Sequence, residues 1–163
     1  MEREMITVYC GSGKGKTAAA LGQGLMAANS GRSVIVIQFL KGCQEENLEL
    51  IQRLEPELKV FRFEKFTSNY NELDAQEQSE ETANIKNAFG FAKKVLVTGE
   101  CDLLILDEVL GLLDLNLISI EEMKSLLAAK EDSVGLVITG IHMKEELLPY
   151  VDQVHEIENR KVS

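Results

Sequence analysis

The sequence has no tryptophan, three cysteines, no long uninterrupted apolar run, and too few basic residues to balance its acids. Each shortage closes off a class of protein. Cys10, Cys43 and Cys101 are odd in number, widely spaced and without a CxxC pair, so neither a disulfide framework nor a zinc ribbon is expected. They read as small buried or half-buried thiols. No stretch reaches the roughly 18 apolar residues of a membrane span. Met1-Glu-Arg-Glu4 leads straight into a strand pattern without the form of a signal peptide, so a cytoplasmic protein off the membrane is expected. Lys and Arg number 17 against 27 Asp and Glu, a formal net charge of −10, which argues against nucleic acid and anionic membranes as partners. Internal repeats, low-complexity tracts and linker-like composition are missing too, so residues 1–163 are expected to form one domain. No Ser/His/Asp or Cys/His nucleophile set can be assembled. His142 reads as loop surface, with a site-lining role as the alternative, and His155 reads as structural.

What is present is organised around Cys10-Gly-Ser-Gly-Lys-Gly-Lys-Thr17. An apolar strand pattern, Met5–Tyr9, precedes it, and Ala18–Ala28 follows with Leu21, Leu25 and Ala28 on one helical face. Strand, glycine-rich turn and helix in that order form the context of a phosphate-binding loop. Gly11, Gly13 and Gly15 allow backbone N–H groups to turn inward, and a helix starting near Gly15 adds its unpaired N–H groups and positive dipole end. Lys16 is placed to reach the β- and γ-phosphates, and the Thr17 hydroxyl to bind Mg²⁺. Cys10 stands where the strict Walker A pattern has glycine, which leaves a plain glycine-rich turn with two lysines as the alternative. In an acidic chain, Lys14, Lys16 and Lys41 are expected to converge on this one site.

A second motif supports the first. Cys101-Asp-Leu-Leu-Ile-Leu-Asp107-Glu108 is an apolar strand ending in two carboxylates, the Walker B pattern that brings Asp107 and Glu108 beside the phosphate loop to hold Mg²⁺ or its waters. Ser33–Phe39 reads as another fully covered parallel strand. Ligands of open parallel sheets bind beyond the strands' carboxyl ends, so Gln38 and Lys41 would look towards the nucleotide, a solvated loop lysine being the alternative for Lys41. Between the motifs, the pattern predicts a short helix over Glu45–Leu54, a half-exposed, edge-like strand over Leu58–Phe63, and a polar loop over Glu64–Asn71. Asn71 is then expected to cap a helix running to Gly99, with Asp74 in the capping-box position. Ser119-Ile-Glu-Glu122 is a further capping box. Ser133–Thr139 and Asp152–Ile157 read as strands flanking a short helix near Glu145–Leu148. Strands alternating with helices imply an α/β fold, a P-loop NTPase-like three-layer sandwich with a mostly parallel central sheet flanked by helices.

In order along the chain, these pieces resemble the P-loop corrinoid adenosyltransferases of cobalamin biosynthesis and salvage. That family's Gly-Asn-Gly-Lys-Gly-Lys-Thr-Thr loop, also without the first Walker glycine, is similar to Gly11-Ser-Gly-Lys-Gly-Lys-Thr-Ala18. Its Val-x-Gln-Phe-x-Lys-Gly, Leu-Asp-Glu and Ile-Thr-Gly segments match Val36–Gly42, Leu106–Glu108 and Ile138–Gly140. The resemblance implies transfer of the 5′-deoxyadenosyl group of ATP to a Co(I) corrinoid with release of triphosphate. It implies Gly11, Ser12, Gly13, Lys14, Gly15, Lys16, Thr17, Ala18, Gln38, Lys41 and Phe66 as binding residues, and Lys16, Lys14 and Glu108 as the catalytic ones. Thr17, Glu108 and Asp107 would hold Mg²⁺. A homodimer and an electron-donating reductase are implied as partners. The chain departs from the family pattern at Ala18, where the family has Thr. It departs again at Phe66-Thr67-Ser68, where the family's corrin-facing Phe-Thr-Trp has its Trp. Two other functions fit parts of the pattern: a non-catalytic ATP- or corrinoid-binding paralogue, and a small P-loop kinase or ATPase. The missing CxxC pairs speak against a thymidine-kinase-like relative.

Overall fold

The computed structural model describes residues 2–40 and 49–162. Lys41, Cys43 and the start of the helix expected over Glu45–Leu54 lie outside the described residues. The elements run β1 (Ile6–Cys10), α1 (Lys16–Asn29), β2 (Val34–Gln38), α2 (Glu49–Gln52), β3 (Leu58–Phe61), α3 (Ala75–Thr98), β4 (Leu103–Asp107), α4 (Gly111–Asp114), α5 (Ile120–Ala128), β5 (Gly135–Thr139) and β6 (Gln153–Glu156). Two 3₁₀ turns, Tyr70–Glu72 and Glu145–Tyr150, complete the connections. Among the described residues the sheet has the order β3-β2-β4-β5-β1-β6, and every neighbouring pair is parallel. Parallel pairing puts every strand's carboxyl end on one edge, and the site is built along that edge.

The three-layer expectation holds because strand side chains alternate between two cores. Ile6, Val8, Ile37, Leu104, Leu106, Leu136 and Ile138 face α3, α4 and α5 in the larger core. Val34, Val36, Leu58, Leu103, Ile105 and Val137 face α1, joined by half-buried Ile51 and Leu54. Gly24 lets α1 lie close on this face, since a Cβ there would sit 2.9 Å from Ile105 Cδ1. The two edges differ from the interior. β3 is half-exposed, as its alternating sequence predicts. β6 is exposed at all four positions, including Val154 at 40%, so alternation there does not mark a buried face.

Helix ends follow local chemistry, with one correction. Asp74, not Asn71, caps α3: its carboxylate accepts the Glu77 N–H at 2.8 Å, and Glu77 reaches back to the Asp74 N–H at 3.1 Å. Asn71 lies in the preceding 3₁₀ turn. The longer Glu77 side chain closes the reciprocal box that Asp74 at the third helical position would be too short to close. Gly99 ends α3 in the left-handed conformation, φ 67°, as expected. Ser119 and Glu122 form the predicted box on α5. The segment after Glu108 carries an element that the sequence pattern did not mark, the short α4, with Leu110 and Leu112 fully buried.

Candidate active site

The alternation that builds the α1-facing core continues to the strand ends and there turns polar. On β4 the parity of Leu103 and Ile105 reaches Asp107, on β2 that of Val34 and Val36 reaches Gln38, and on β5 that of Val137 reaches Thr139. Register sets Gln38 directly opposite Asp107. Asp107, 1% exposed, is therefore surrounded by donors. Thr139 Oγ1 donates to its Oδ1 at 2.8 Å, and Gln38 Nε2 to its Oδ2 at 3.2 Å. Thr17, in the first turn of α1, donates its hydroxyl to the same carboxylate at 2.9 and 3.1 Å. These bonds hold the carboxylate in place and fix which way the Thr17 proton points. The Thr17 lone pairs are left for whatever occupies the cleft.

Glu108 follows with φ 63°, a left-handed backbone uncommon for a residue bearing a side chain, and its N–H donates to Thr139 Oγ1 at 2.8 Å. Leu40, two residues beyond Gln38, is held likewise at φ 59°, with its N–H on Glu64 Oε1 at 2.6 Å. Such strained backbone persists only where the surrounding structure holds it, as the Thr139 hydroxyl and the Glu64 carboxylate do here. The phosphate loop itself leaves β1 at Cys10 and enters α1 through Gly15, φ 105°. No side chain caps α1, so its first N–H groups are directed to the cleft rather than to a capping oxygen. Lys16 Nζ donates to the Gly13 carbonyl at 2.7 Å, holding the ammonium across the loop.

Ser12, Gly13, Lys14, Gly15, Lys16, Thr17, Ala18 and Glu108 line one open cleft of about 570 Å³, with Leu21 as its apolar wall. Gly11 lies beneath the loop instead, and Gln38 and Asp107 lie under the cleft floor. Phe66 is not among the cleft residues. It is half-buried on the loop after β3, where the Glu81 carboxylate accepts the N–H groups of Lys65 at 2.9 Å and Phe66 at 3.4 Å. Glu81 is 3% exposed and also takes the Asn84 amide at 2.8 Å. A separate cavity of about 180 Å³ opens beside this loop, lined in part by Leu40, Glu64, Thr67, Ser68 and Glu81. Cys10 is buried, and burial, reinforced by Glu156 and opposed by Lys16, pushes its thiol up, which suits packing and not nucleophilic chemistry. His142 is on the surface, bonded to Asp114 at 2.9 Å, and His155 stacks on Tyr9 with ring centroids 5.0 Å apart.

Sequence reasoning missed Thr139, Arg62 and Glu81. Thr139 and Arg62, whose Nε donates to Gln38 Oε1 at 2.7 Å, continue the α1-facing alternation of their strands, but only the register sets them beside Asp107 and Gln38. Glu81 has no such signal, because it sits in the acidic half of α3, which reads as a solvated face. The clasp on the loop was equally hidden: Gly13 N–H donates to the Ile157 carbonyl at 2.8 Å, and Lys14 N–H to Asn159 Oδ1 at 3.3 Å.

A profile of the family described as ATP:corrinoid adenosyltransferase BtuR/CobO/CobP matches residues 2–163. The corrinoid adenosyltransferase of Escherichia coli K12 is 31% identical over 159 residues, 96% of this chain and 77% of that protein. Corrinoid adenosyltransferase CobA of Salmonella typhimurium gives the same identity and coverage, and the Pseudomonas aeruginosa enzyme is 27% identical over 96% of this chain and 75% of its own. Among solved structures, a KaiC-like protein from Pyrococcus horikoshii superposes with a TM-score of 0.54 at 14% identity, covering 99% of this chain and 76% of that one, and shows the shared P-loop fold. Phosphate loop, carboxylate-ended strand and family profile coincide over the same residues, and the chain belongs to the ATP:corrinoid adenosyltransferase family.

Proposed function

We propose that this protein adenosylates a corrinoid by holding the triphosphate of ATP in the cleft at the start of α1 while a Co(I) corrinoid attacks C5′. ATP-dependent adenosylation of corrinoids is the family's reaction. The Co–C bond forms as the C5′–O bond breaks, and triphosphate leaves with the electron pair. Charge grows on the 5′ oxygen in the transition state, so the chain's task is to stabilise a leaving group and not a transferring phosphoryl. The observation that carries the reading is the uncapped α1 terminus, flanked by Lys16 and by a Thr17 hydroxyl whose proton is already committed to Asp107. Backbone N–H groups from Gly15 to Ala18 would cradle the phosphates, since those of Gly13 and Lys14 are held by Ile157 and Asn159, and Lys16 would leave the Gly13 carbonyl for them, with the Lys14 side chain and Ser12 beside it. Gln38 acts from beneath, and Lys41 and Phe66 are assigned by family resemblance, Phe66 towards the corrin ring.

The oxygen donors suit Mg²⁺. Thr17 offers lone pairs, Glu108 lines the cleft, and Asp107 supports from below. Bound there, the ion would supply charge neutralisation at the phosphates. The chain's own part is to orient those oxygens and keep the reactants in line. We also assign the working form as a homodimer of a single-domain cytoplasmic protein that receives Co(I) from a separate reductase. Leu25 and Met26 on the outer side of α1, 50% and 66% exposed, support pairing. No helix among the described residues is long and apolar enough to cross a membrane.

An anaerobic assay with ATP, Mg²⁺ and chemically reduced cob(I)alamin tests the reading. The expected result is an adenosylcobalamin spectrum with stoichiometric triphosphate. Lys16→Ala is expected to lower turnover at least about a hundredfold, the scale of losing one charged transition-state contact, with an unchanged circular dichroism spectrum. Release of ADP without corrinoid would favour a kinase or ATPase, and tight ATP binding without turnover a binding paralogue.

A further inference from the structure

Parity and register place one more side chain in the row beneath the cleft. On β3, Leu58 and Val60 face α1, and the next residue of that parity is Arg62, just past the strand end. Ile37 pairs with Phe61, so Arg62 lies across from Gln38 as Gln38 lies across from Asp107. The side chains connect in that order. Arg62 Nε donates to Gln38 Oε1 at 2.7 Å, Gln38 Nε2 donates to Asp107 Oδ2 at 3.2 Å, and Asp107 accepts the Thr17 hydroxyl. The row thus crosses β3, β2 and β4 and ends on the helix that opens the phosphate loop.

We propose that Arg62 is a positioning residue for the metal and triphosphate site, acting through the orientation of the Gln38 amide. The chemistry is directional. A guanidinium can only donate, so it forces the amide oxygen of Gln38 towards itself and the amide NH₂ towards Asp107. Were the amide reversed, its oxygen would face the buried carboxylate, and Asp107 would lose a donor and gain a repulsion. With the amide locked, both carboxylate oxygens stay engaged, and the Thr17 hydroxyl keeps donating to Asp107 with its lone pairs towards the cleft. Arg62 also stands at the root of the loop that carries Lys65 and Phe66. Movement of that loop when the second substrate binds would therefore be felt at Thr17. This inference rests on the assignment of Thr17, Asp107 and Glu108 to Mg²⁺.

The test is calorimetric titration of ATP into the full-length protein across a series of Mg²⁺ concentrations and in EDTA, for wild type, Arg62→Met, Arg62→Lys, Gln38→Leu and the Arg62→Met/Gln38→Leu double variant. Arg62→Met is expected to raise the Mg²⁺ concentration for half-maximal ATP affinity about tenfold, the scale of one lost charge-assisted bond, while affinity in EDTA changes less than about twofold. Arg62→Lys should recover part of the Mg²⁺ response, and Arg62→Met should add nothing in the Gln38→Leu background. Equal weakening with and without Mg²⁺, additive effects of the two substitutions, or a lowered melting temperature with an unaltered Mg²⁺ response would each overturn the role. If Arg62→Met does not fold, Gln38→Leu with the same Mg²⁺ series decides, an unshifted response again overturning it. Wild-type binding indifferent to Mg²⁺ would remove the metal assignment of the proposed function, and this inference with it. A Mg²⁺-dependent wild type with an unaffected Arg62→Met would remove this inference alone.

Discussion

At the scale of single residues, the glycines of the phosphate loop do different work. A reading from sequence gives all three the same role, backbone freedom around phosphate. Gly15 fits that role: φ is 105°, and a Cβ there would meet nothing within 4 Å. Gly13 does not, because its Cβ would lie 2.7 Å from the Ile157 carbonyl oxygen and 2.8 Å from its carbon. Gly11 combines both demands, with φ 108° and a Cβ 2.3 Å from the same oxygen. The chain after β6 thus presses on the underside of the loop, and glycine at 11 and 13 admits it. Gly13→Ala is therefore expected to act on the fold, costing about 1–3 kcal/mol as the Ile157 backbone is pushed away. Gly15→Ala strains a conformation that an L residue rarely adopts and is expected to weaken ATP binding more than it lowers unfolding stability. Denaturant melts beside ATP titrations of the two variants would separate these effects. A Gly13→Ala protein as stable as wild type would show that the clasp yields freely.

Among the elements, local chemistry and tertiary placement can be told apart. Asp74 accepts one N–H of α3 in a region with little apolar burial, since the buried face of that helix begins in earnest at Ile85. Asp74→Ala should thus cost about 1 kcal/mol and fray the first turns. Amide exchange accelerated at residues 75–80, with protection from 85 to 96 retained, would be its signature. Uniform acceleration along the helix would instead mean that the cap supports the whole element. The same division explains what could be read beforehand. Strands β1, β2, β4 and β5 were legible because a parallel strand covered on both faces writes a near-continuous apolar run, and α1 because a glycine turn precedes it. The candidate site at their ends could be drawn from sequence because Lys16, Thr17, Asp107 and Glu108 stand at fixed offsets from those runs. Asn71 was mistaken for a cap because two capping-type residues stand three apart, and only the Glu77 side chain decides between them. Short α4 escaped notice because Leu110, Leu112 and Leu113 give no clear period over so few residues. Arg62 and Thr139 join the site only once register is known, and Ile157 acts through its backbone, which leaves no mark on residue type.

For the molecule as a whole, the two ends of the chain are tied at one carboxylate. Asp152, just before β6, accepts the Ile6 N–H at the head of β1 at 2.7 Å and the Arg3 guanidinium at 2.5 Å. The Asp152 N–H returns a bond to the Ile6 carbonyl at 2.9 Å. Partial burial pushes this carboxyl up, but the Ile6 N–H and Arg3 outweigh it, and its pKa in the folded protein lies below the ordinary value. A depressed folded pKa gives a definite sign. The stabilisation is fully present above the unfolded value, about 3.9 for Asp, and is lost as pH falls through the folded one. A second trend runs against it, since a chain of net charge −10 and isoelectric point near 4.7 sheds its self-repulsion as pH falls from neutrality. Wild-type stability alone therefore mixes the two, whereas Asp152→Asn isolates the first: it keeps the shape and removes the ionised acceptor. With the Arg3 partner half exposed, the variant should melt only about 2–4 °C below wild type at pH 7. The gap should persist to about pH 5 and close below the carboxylate range, as Asp152 itself becomes protonated. Calorimetric melts of both proteins from pH 7 to pH 2.5 would trace that closure. A gap of constant size down to the most acid sample would mean that Asp152 joins the termini through shape and neutral hydrogen bonding, with its charge contributing nothing.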